Sequence, residues 1–453
     1  MKTIAAITTA KGSAGIGVIR ISGEDAKSIA DKIFVSVSGI KLSQTPGYKA
    51  RYGKIIDNGE EIDEGIALVF NSPNSYTGED VVEISCHGGI YVTNRTLRAI
   101  FNAGAIPAEP GEFTKRAFLN GKIGLTQAES VMDIIGAKGK NAARAALSNM
   151  EGALYKKIKS INENLIEIAA HLSAWADYPE EDIPQVDKNN LVIILDKSLS
   201  ELNNLYSNYN AVVAVKEGID TAIIGKPNVG KSTLMNLLSG CDKSIVTDIP
   251  GTTRDIVEET AMLGNTLLRL SDTAGIRSTD DPVESIGVNK AKSKLKTAGL
   301  ILAVFDASEE LSVHDIEILD DLEDSPCVAI INKSDLDNKI DVNYIKAKVK
   351  RVVFISAKDG KGIKELSEVV SELLGTNKID LNDAVIANER QLLAVKNAIK
   401  CMNEAKEALI LGMTLDAVTV SIESGIQVLL ELTGERASDA VVDSVFSHFC
   451  VGK

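Results

Sequence analysis

The chain has 453 residues, 44% hydrophobic and 25% charged, enough for about three domains with substantial cores. Lysine plus arginine number 49 against 63 aspartate plus glutamate, and the net charge of -14 excludes a nonspecific duplex-binding surface over the whole molecule while leaving room for a local basic site. No apolar run approaches the roughly 18 residues of a membrane helix, and five widely spaced cysteines (Cys86, Cys241, Cys327, Cys401, Cys450) without a C-x-x-C pair indicate neither a disulfide framework nor a zinc site, so a soluble protein of the reducing cytoplasm is expected.

At the start, Lys2 followed by Ile4-Ala-Ala-Ile7 imitates a signal peptide, but Thr8, Thr9 and Lys11 interrupt it and Gly12 to Gly17 follows as a tight loop, so a strand is the better reading. Val18-Ile-Arg-Ile21, Gly65 to Phe70 and Asp80 to Ile84 read as strands between turn-rich stretches, and Tyr91 to Ala103 reads as a helix. Residues 1–118 are therefore expected to form an α+β domain.

From about 119 the period changes. Leu154, Ile158, Ile161, Leu165, Ile168, Leu172 and Trp175 step by four and three, the apolar seam of one long helix, which Asp177 to Pro184 interrupts. Leu191, Leu195, Leu199, Leu202, Tyr206 and Tyr209 form a second seam, and Leu392, Val395, Ile399, Met402 and Leu409 a third. Residues 119–215 and 377–453 are thus the two parts of a discontinuous helical bundle. Between them, residues 216–376 alternate apolar runs (Thr221 to Ile224, Leu267 to Leu270, Leu300 to Phe305, Val328 to Ile331, Val352 to Ile355) with helix-like segments, the pattern of an inserted α/β domain with a mostly parallel sheet.

Gly225-Lys-Pro-Asn-Val-Gly-Lys-Ser232 fits G-x-x-x-x-G-K-[ST] between a strand and a helix, the context in which backbone N–H groups cradle phosphates, Lys231 reaches the β and γ phosphates and Ser232 ligates Mg²⁺. Asp272-Thr-Ala-Gly275 closes one strand, Asn332-Lys-Ser-Asp335 another and Ser356-Ala-Lys358 a third, with Gly251-Thr-Thr-Arg-Asp255 in a preceding loop; all fall at carboxyl ends of strands. The Asp335 carboxylate matches the two donors of guanine and nothing comparable on adenine. Together these motifs resemble a Ras-like P-loop GTPase domain of the translation-factor-related class. Ile276 follows the Asp-x-x-Gly glycine where small signalling GTPases carry a water-orienting glutamine, so Glu284 is a candidate for that task, against the reading of a solvated surface carboxylate. Asn228 is either a permissive turn residue or, with a folded switch loop, a ligand of a monovalent cation.

Over essentially its whole length the chain resembles the MnmE (TrmE) family of tRNA modification GTPases. The resemblance rests on Gly17-Val-Ile-Arg-Ile-Ser-Gly23, Pro73-Asn-Ser-Tyr-Thr-Gly-Glu-Asp80, His87-Gly-Gly89, Pro110 to Asn120, the Gly251 to Asp255 segment and the terminal Cys450-Val-Gly-Lys453. It implies an N-terminal domain that dimerises and binds a tetrahydrofolate one-carbon donor (5,10-methylenetetrahydrofolate or 5-formyltetrahydrofolate) through Arg20, Glu83, Lys122 and Lys453. It further implies work with the FAD protein MnmG (GidA) in a heterotetramer, adding an aminomethyl or carboxymethylaminomethyl group at position 5 of the wobble uridine of certain tRNAs, and GTP hydrolysis aided by K⁺.

Carried over residue by residue, the GTP contacts are Asn228, Val229, Gly230, Lys231, Ser232, Thr233, Thr247, Asp248, Ile249, Pro250, Gly251, Thr252, Thr253, Asp272, Thr273, Ala274, Gly275, Asn332, Lys333, Asp335, Ser356, Ala357 and Lys358. Ser232 and Thr253 are the implied Mg²⁺ ligands, Asn228, Thr247, Ile249 and Thr252 the implied K⁺ ligands, and Glu284 the implied catalytic glutamate. Val229 stands where relatives commonly have alanine. Cys450 has three readings, a poor prenylation box, a structural thiol or a functional thiol beside the folate pocket. His87 reads as structural rather than as a metal ligand. A GTPase switch for ribosome assembly accounts for residues 216–376 equally well, but it leaves Arg20, Glu83, Lys122 and the C-x-G-K end without a task and lacks the basic appendage such factors carry.

Overall fold

A computed structural model describes residues 1–10, 12–177, 188–241, 259–264, 266–271, 298–322 and 325–453. The chain divides into two compact units, one of Met1–Met132, Ile158–Asn162 and Ile426–Lys453, the other of Asp133–Lys157 and Glu163–Gly425. Among the described residues no helix is long and apolar enough to cross a membrane.

The first unit is built on a seven-stranded sheet of β1 (Ile4–Ile7), β2 (Ile16–Ser22), β3 (Phe34–Ser36), β4 (Lys49–Asp57), β5 (Glu60–Phe70), β6 (Val81–His87) and β7 (Ile106–Pro107), in the order β3-β4-β5-β6-β2-β1-β7. Only β1 and β7 pair in parallel. Alternation sorts the side chains: Ile19 and Ile21 of β2 and Val82 and Ile84 of β6 enter the core with Ile29 and Ala30 of the helix Ala26–Ile33 and Ala99 and Ile100 of the helix Ile90–Asn102. The alternate residues of β2 and β6, Arg20 and Glu83, stand directly opposite each other in the register.

The sheet is larger than the three strands expected between residues 18 and 84. The expected strand Gly65 to Phe70 is the second half of β5, whereas β4 and the start of β5 carry no apolar pattern, although their turn, Asn58-Gly59, has the dipeptide that favours the left-handed backbone and both residues adopt positive φ (49° and 84°). These stretches hide from a hydrophobicity count because they are rich in charge, with Lys49, Arg51 and Lys54 on β4 and Glu60, Glu61, Asp63 and Glu64 at the start of β5.

In the second unit β8 (Ile219–Ile224), β9 (Glu259–Leu263), β10 (Thr266–Ser271), β11 (Leu300–Asp306), β12 (Cys327–Asn332) and β13 (Val352–Phe354) form a sheet in the order β13-β12-β11-β8-β10-β9. All neighbours are parallel except the β9–β10 hairpin, whose edge strand the apolar pattern did not announce. Every residue of β11 is buried, as a central parallel strand with both faces covered requires.

The long helices follow the apolar seams. Leu154, Ile158, Ile161, Leu165, Ile168 and Leu172 are all buried on Ala153–Asp177; the side chain of Trp175 and the break after it lie outside the described residues. On Lys188–Lys216 the seam holds through Leu202 and then shifts: Leu205 is buried and Tyr206 is 39% exposed. Leu205 lies three residues beyond Leu202 and Tyr206 four, both compatible with a 3.6-residue period, and the leucine is the one that is buried. The entry to and exit from the α/β domain meet here, since Lys216 Nζ donates to the carbonyl of Ala387 (2.8 Å) and Val212 and Val215 pack with Leu381 and Val385. Adjacent ends are what allow one domain to be inserted into another.

Candidate nucleotide site and a second polar cluster

The phosphate loop leaves β8 and enters the helix Lys231–Cys241. Gly225 has φ +149°, and a Cβ there would lie 2.3 Å from the carbonyl oxygen of Val304; at Gly230, φ +96°, it would lie 2.2 Å from Asn332 Nδ2. Both positions exclude any other residue on sterics alone. Asn228 between them takes φ +64°, a left-handed backbone that asparagine tolerates better than most residues. Lys231 donates from Nζ to the carbonyls of Gly225 and Lys226, each at 2.7 Å, and its partial burial pushes its pKa below the usual lysine value. Ser232 and Thr233 are exposed in the first helical turn, where the helix N-terminus favours anions.

Asn332 fastens three loops together. Its Nδ2 donates to the carbonyl of Val229 (2.8 Å) and its Oδ1 accepts from Ala357 N (3.0 Å), and with 2% exposure it is shut away from water. Val229 is itself buried, so the extra bulk relative to alanine lies in the core behind the loop. Lys333 takes φ +62° and pairs with Asp306. Asp335 is exposed and accepts a hydrogen bond from Ser356 Oγ (2.7 Å), which holds its carboxyl below the ordinary aspartate range and leaves its other oxygen uncommitted to that bond. Lys358 is exposed two residues beyond Ser356. Of the expected GTP contacts, Asn228 to Thr233, Asn332, Lys333, Asp335, Ser356, Ala357 and Lys358 are described, whereas Thr247, Asp248, Ile249, Pro250, Gly251, Thr252, Thr253, Asp272, Thr273, Ala274 and Gly275 lie outside the described residues, as does Glu284, the expected catalytic glutamate.

In the first unit Arg20 and Glu83 are joined by a 2.8 Å hydrogen bond from Arg20 Nε to Glu83 Oε1. The Arg20 guanidinium stacks over the rings of Tyr76 (5.1 Å) and Phe113 (5.5 Å). Tyr76 Oη lies 2.8 Å from Thr114 Oγ1, and burial pushes the phenol pKa up against smaller opposing effects of Thr114 and Arg20. Beneath this layer Arg116, 3% exposed, donates to Glu79 (3.0 and 3.1 Å), Glu112 (2.7 Å) and the carbonyl of Lys2 (2.9 Å).

The other two residues implied by resemblance are attached to the edges of this cluster. Lys122 Nζ donates to the carbonyl of Pro73 (2.9 Å), in the loop that carries Tyr76. The chain end returns to the same place: Phe113 N donates to the Lys453 carbonyl (3.2 Å), Gly111 N to the Cys450 carbonyl (3.3 Å), and a Cβ on Gly452 would lie 2.4 Å from the carbonyl oxygen of Ile7. Cys450 is exposed there, while Cys86 and Cys327 are buried. His87 is exposed and paired with Asp63, Nδ1 to Oδ1 2.7 Å. Tyr76, Phe113 and Arg116 are the cluster members sequence reasoning did not name, although each lies inside a segment quoted for the resemblance.

A parallel sheet with a glycine-bounded phosphate loop after its first strand, fastened by Asn332 to the loop that carries Asp335, defines a P-loop GTPase domain. Residues 125–450 match the MnmE helical domain family and residues 3–122 the family described as GTP-binding protein TrmE N-terminus. The chain is 42% identical over 454 residues to the tRNA modification GTPase MnmE of Clostridioides difficile (strain 630), covering 100% of this chain and 99% of that protein. It is also 42% identical over 455 residues to the protein of that name from Lactococcus lactis subsp. cremoris (strain SK11), with 100% and 98% covered. Among solved structures, the Era complex with MgGDPNP and 16S ribosomal RNA nucleotides matches at 30% identity over 40% of this chain and 66% of that one, with a TM-score of 0.27. The chain belongs to the MnmE (TrmE) family of tRNA modification GTPases. It accordingly comprises an N-terminal α+β domain, a discontinuous helical bundle and an inserted P-loop GTPase domain.

Proposed function

We propose that this chain hydrolyses GTP through residues 216–376 and uses its N-terminal residues 1–118 to present a tetrahydrofolate one-carbon unit for modification of the wobble uridine of tRNA at position 5. The helical residues 119–215 and 377–453 carry the GTPase domain as an insertion. The observation that supports the reading best is Asn332, whose two hydrogen bonds make the phosphate loop and the loops of Asp335 and Ala357 a single site. Guanine is read by the Asp335 carboxylate, which Ser356 keeps ionised and oriented. The phosphates are held by main-chain N–H groups and Lys231, whose depressed pKa reflects a lysine set in a partly dry loop.

Ser232, at the helix start, is the described residue that would hold Mg²⁺, with Thr253, and Asn228 the one that would hold K⁺, with Thr247, Ile249 and Thr252. Such cations supply positive charge to the phosphates. In this reading Glu284 orients the attacking water.

At the N-terminal cluster, Glu83 offers a carboxylate to the donor-rich edge of a pterin, while Arg20, Lys122 and Lys453 suit the glutamate tail. Cys450 lies in the same terminal segment and is the candidate thiol. The reading includes a homodimer, a heterotetramer with the FAD protein MnmG (GidA), tRNA as substrate and a cytoplasmic setting. It is tested by measuring GTP turnover in K⁺ and in Na⁺ together with binding of 5-formyltetrahydrofolate. K⁺-dependent turnover with folate binding is expected; full turnover in Na⁺ without folate binding would overturn it in favour of a GTPase without covalent tRNA chemistry.

A further inference from the structure

Lys226 occupies the second position of the phosphate loop, which the nucleotide motif leaves free. Its Nζ lies 2.9 Å from Glu309 Oε2 and 3.2 Å from Asp315 Oδ2. Asp315 is 2% exposed and sits in the first turn of the helix Val313–Asp321, where its Oδ2 accepts from Ser312 N (2.9 Å) and Ser312 Oγ (2.7 Å). Its Oδ1 has no hydrogen-bond partner among the described residues. A carboxylate shut away from water in this fashion costs several kcal/mol unless a cation lies against it, even with the help of a helix N-terminus. Lys226 is that cation.

The same residue touches the phosphate-binding lysine, because the Lys226 carbonyl accepts from Lys231 Nζ at 2.7 Å. One residue therefore carries the anchor on its side chain and the Lys231 contact on its main chain. Nine positions upstream of Asp315, Asp306 is 3% exposed and pairs with Lys333 beside the base-reading Asp335. The segment from Asp306 to Asp315 thus grips both nucleotide loops, each by one lysine.

We propose that Asp315, assisted by Glu309, is a positioning residue for GTP binding that acts through Lys226 to hold the phosphate loop in the form that presents Lys231. This rests on the reading of Gly225 to Ser232 as the GTP site. Asp315→Asn keeps an oxygen for Ser312 and removes the charge that grips Lys226. In the full-length protein the KM for GTP should rise about tenfold with kcat within about twofold, the signature of lost binding common to ground and transition states. Discrimination between GTP and inosine triphosphate should stay as it is, because the Asp335 loop is untouched. Lys226→Met should raise KM similarly, and the double variant should be no worse than the worse single, since both remove one interaction. Multiplying effects, an unchanged KM in a folded Asp315→Asn protein, or a fall in kcat alone would overturn the proposal. If Asp315→Asn does not fold, the double variant, which buries no lone charge, is compared with Lys226→Met and should match it; a further rise in KM would count against the pair. Lys231→Ala separates the two levels. If it leaves GTP binding intact, the site reading fails, and if it abolishes binding while Asp315→Asn changes nothing, only the positioning role fails.

Discussion

In the GTPase sheet the groups proposed to recognise a ligand sit in loops at the ends of parallel strands, whereas in the N-terminal sheet the proposed ones, Arg20 and Glu83, are side chains standing on antiparallel strands. The phosphate loop spans eight consecutive residues and its shape is set by two glycines and one left-handed asparagine. The Arg20 cluster draws on β2, β6, the Tyr76 loop, the helix Glu112–Leu119 and the chain end, with Arg20 and Glu83 63 positions apart. A site made by local backbone geometry depends on conformation; one made by convergent side chains depends on packing. Substitutions in the two regions should fail in different ways.

The largest effect is expected at Asp335, where one atom changes and the loop does not. Asp335→Asn retains an oxygen for the Ser356 hydroxyl but replaces an acceptor with a donor on the base-reading side. Selectivity should move from guanine toward xanthine nucleotides by about 100-fold or more, because a site built to hydrogen-bond one edge strongly rejects its mismatch. Competition between GTP and xanthosine triphosphate reads this directly. Unchanged preference would mean that base recognition does not run through this carboxylate, and the contrast between the regions would lose its first half.

Phe113→Ala sharpens the second half. Phe113 is fully buried with Ile4, Ala6 and Ala108, and the Arg20 guanidinium lies over its ring. Emptying that position should cost about 3–5 kcal/mol in the unfolding of the first unit, measured by urea denaturation. Binding of 5-formyltetrahydrofolate should weaken with it, as Arg20 loses one of its two aromatic supports. Weakened binding without a stability loss would show that Phe113 belongs to the ligand surface rather than to the support beneath it.

The same division explains what could be read in the sequence. Gly225 to Ser232 and Asn332 to Asp335 are contiguous, so their chemistry is visible before folding, and the five apolar runs of residues 216–376 became β8, β10, β11, β12 and β13. Residues of the Arg20 cluster carry no local signature. Arg20 sits in an alternating strand like any outward-facing residue, and only family resemblance singled it out with Glu83, Lys122 and Lys453. Tyr76 and Phe113 stayed hidden because a ring beneath an arginine is a tertiary fact. Lys226 and Asp315 were hidden for the same reason, since 89 positions separate the partners of a contact that lies behind a recognised loop. Tyr206 shows the limit of periodicity itself, because after Leu202 both a three-residue step to Leu205 and a four-residue step to Tyr206 fit the helix, and spacing alone does not choose between them.

The smallest effect belongs to His87, again a pairing across strands. His87 Nδ1 meets Asp63 Oδ1 at 2.7 Å and its main-chain N–H donates to Asp63 Oδ2 at 2.8 Å. The hydrogen bond and charge of Asp63 hold the imidazole above its ordinary value. Burial pushes the Asp63 carboxyl up, but the bonds from His87, one from the Glu64 main chain and the His87 charge together outweigh it and the net shift is downward. The stabilisation is therefore complete between the ordinary aspartate and histidine values, about 3.9 and 6.5. It fades as pH rises through the raised His87 midpoint, and on the acid side as pH falls through the lowered Asp63 midpoint. Because the ring is 69% exposed, the contribution to stability is slight and the midpoint is the better observable. An NMR titration of the His87 ring should give a midpoint above that of a free histidine, and Asp63→Asn should bring it down. A midpoint that ignores this substitution would mean that the strands do not hold the pair in solution. The Arg20 and Glu83 pair would be a separate matter, since it shares β6 with His87 but rests on the β2–β6 register rather than on β5–β6.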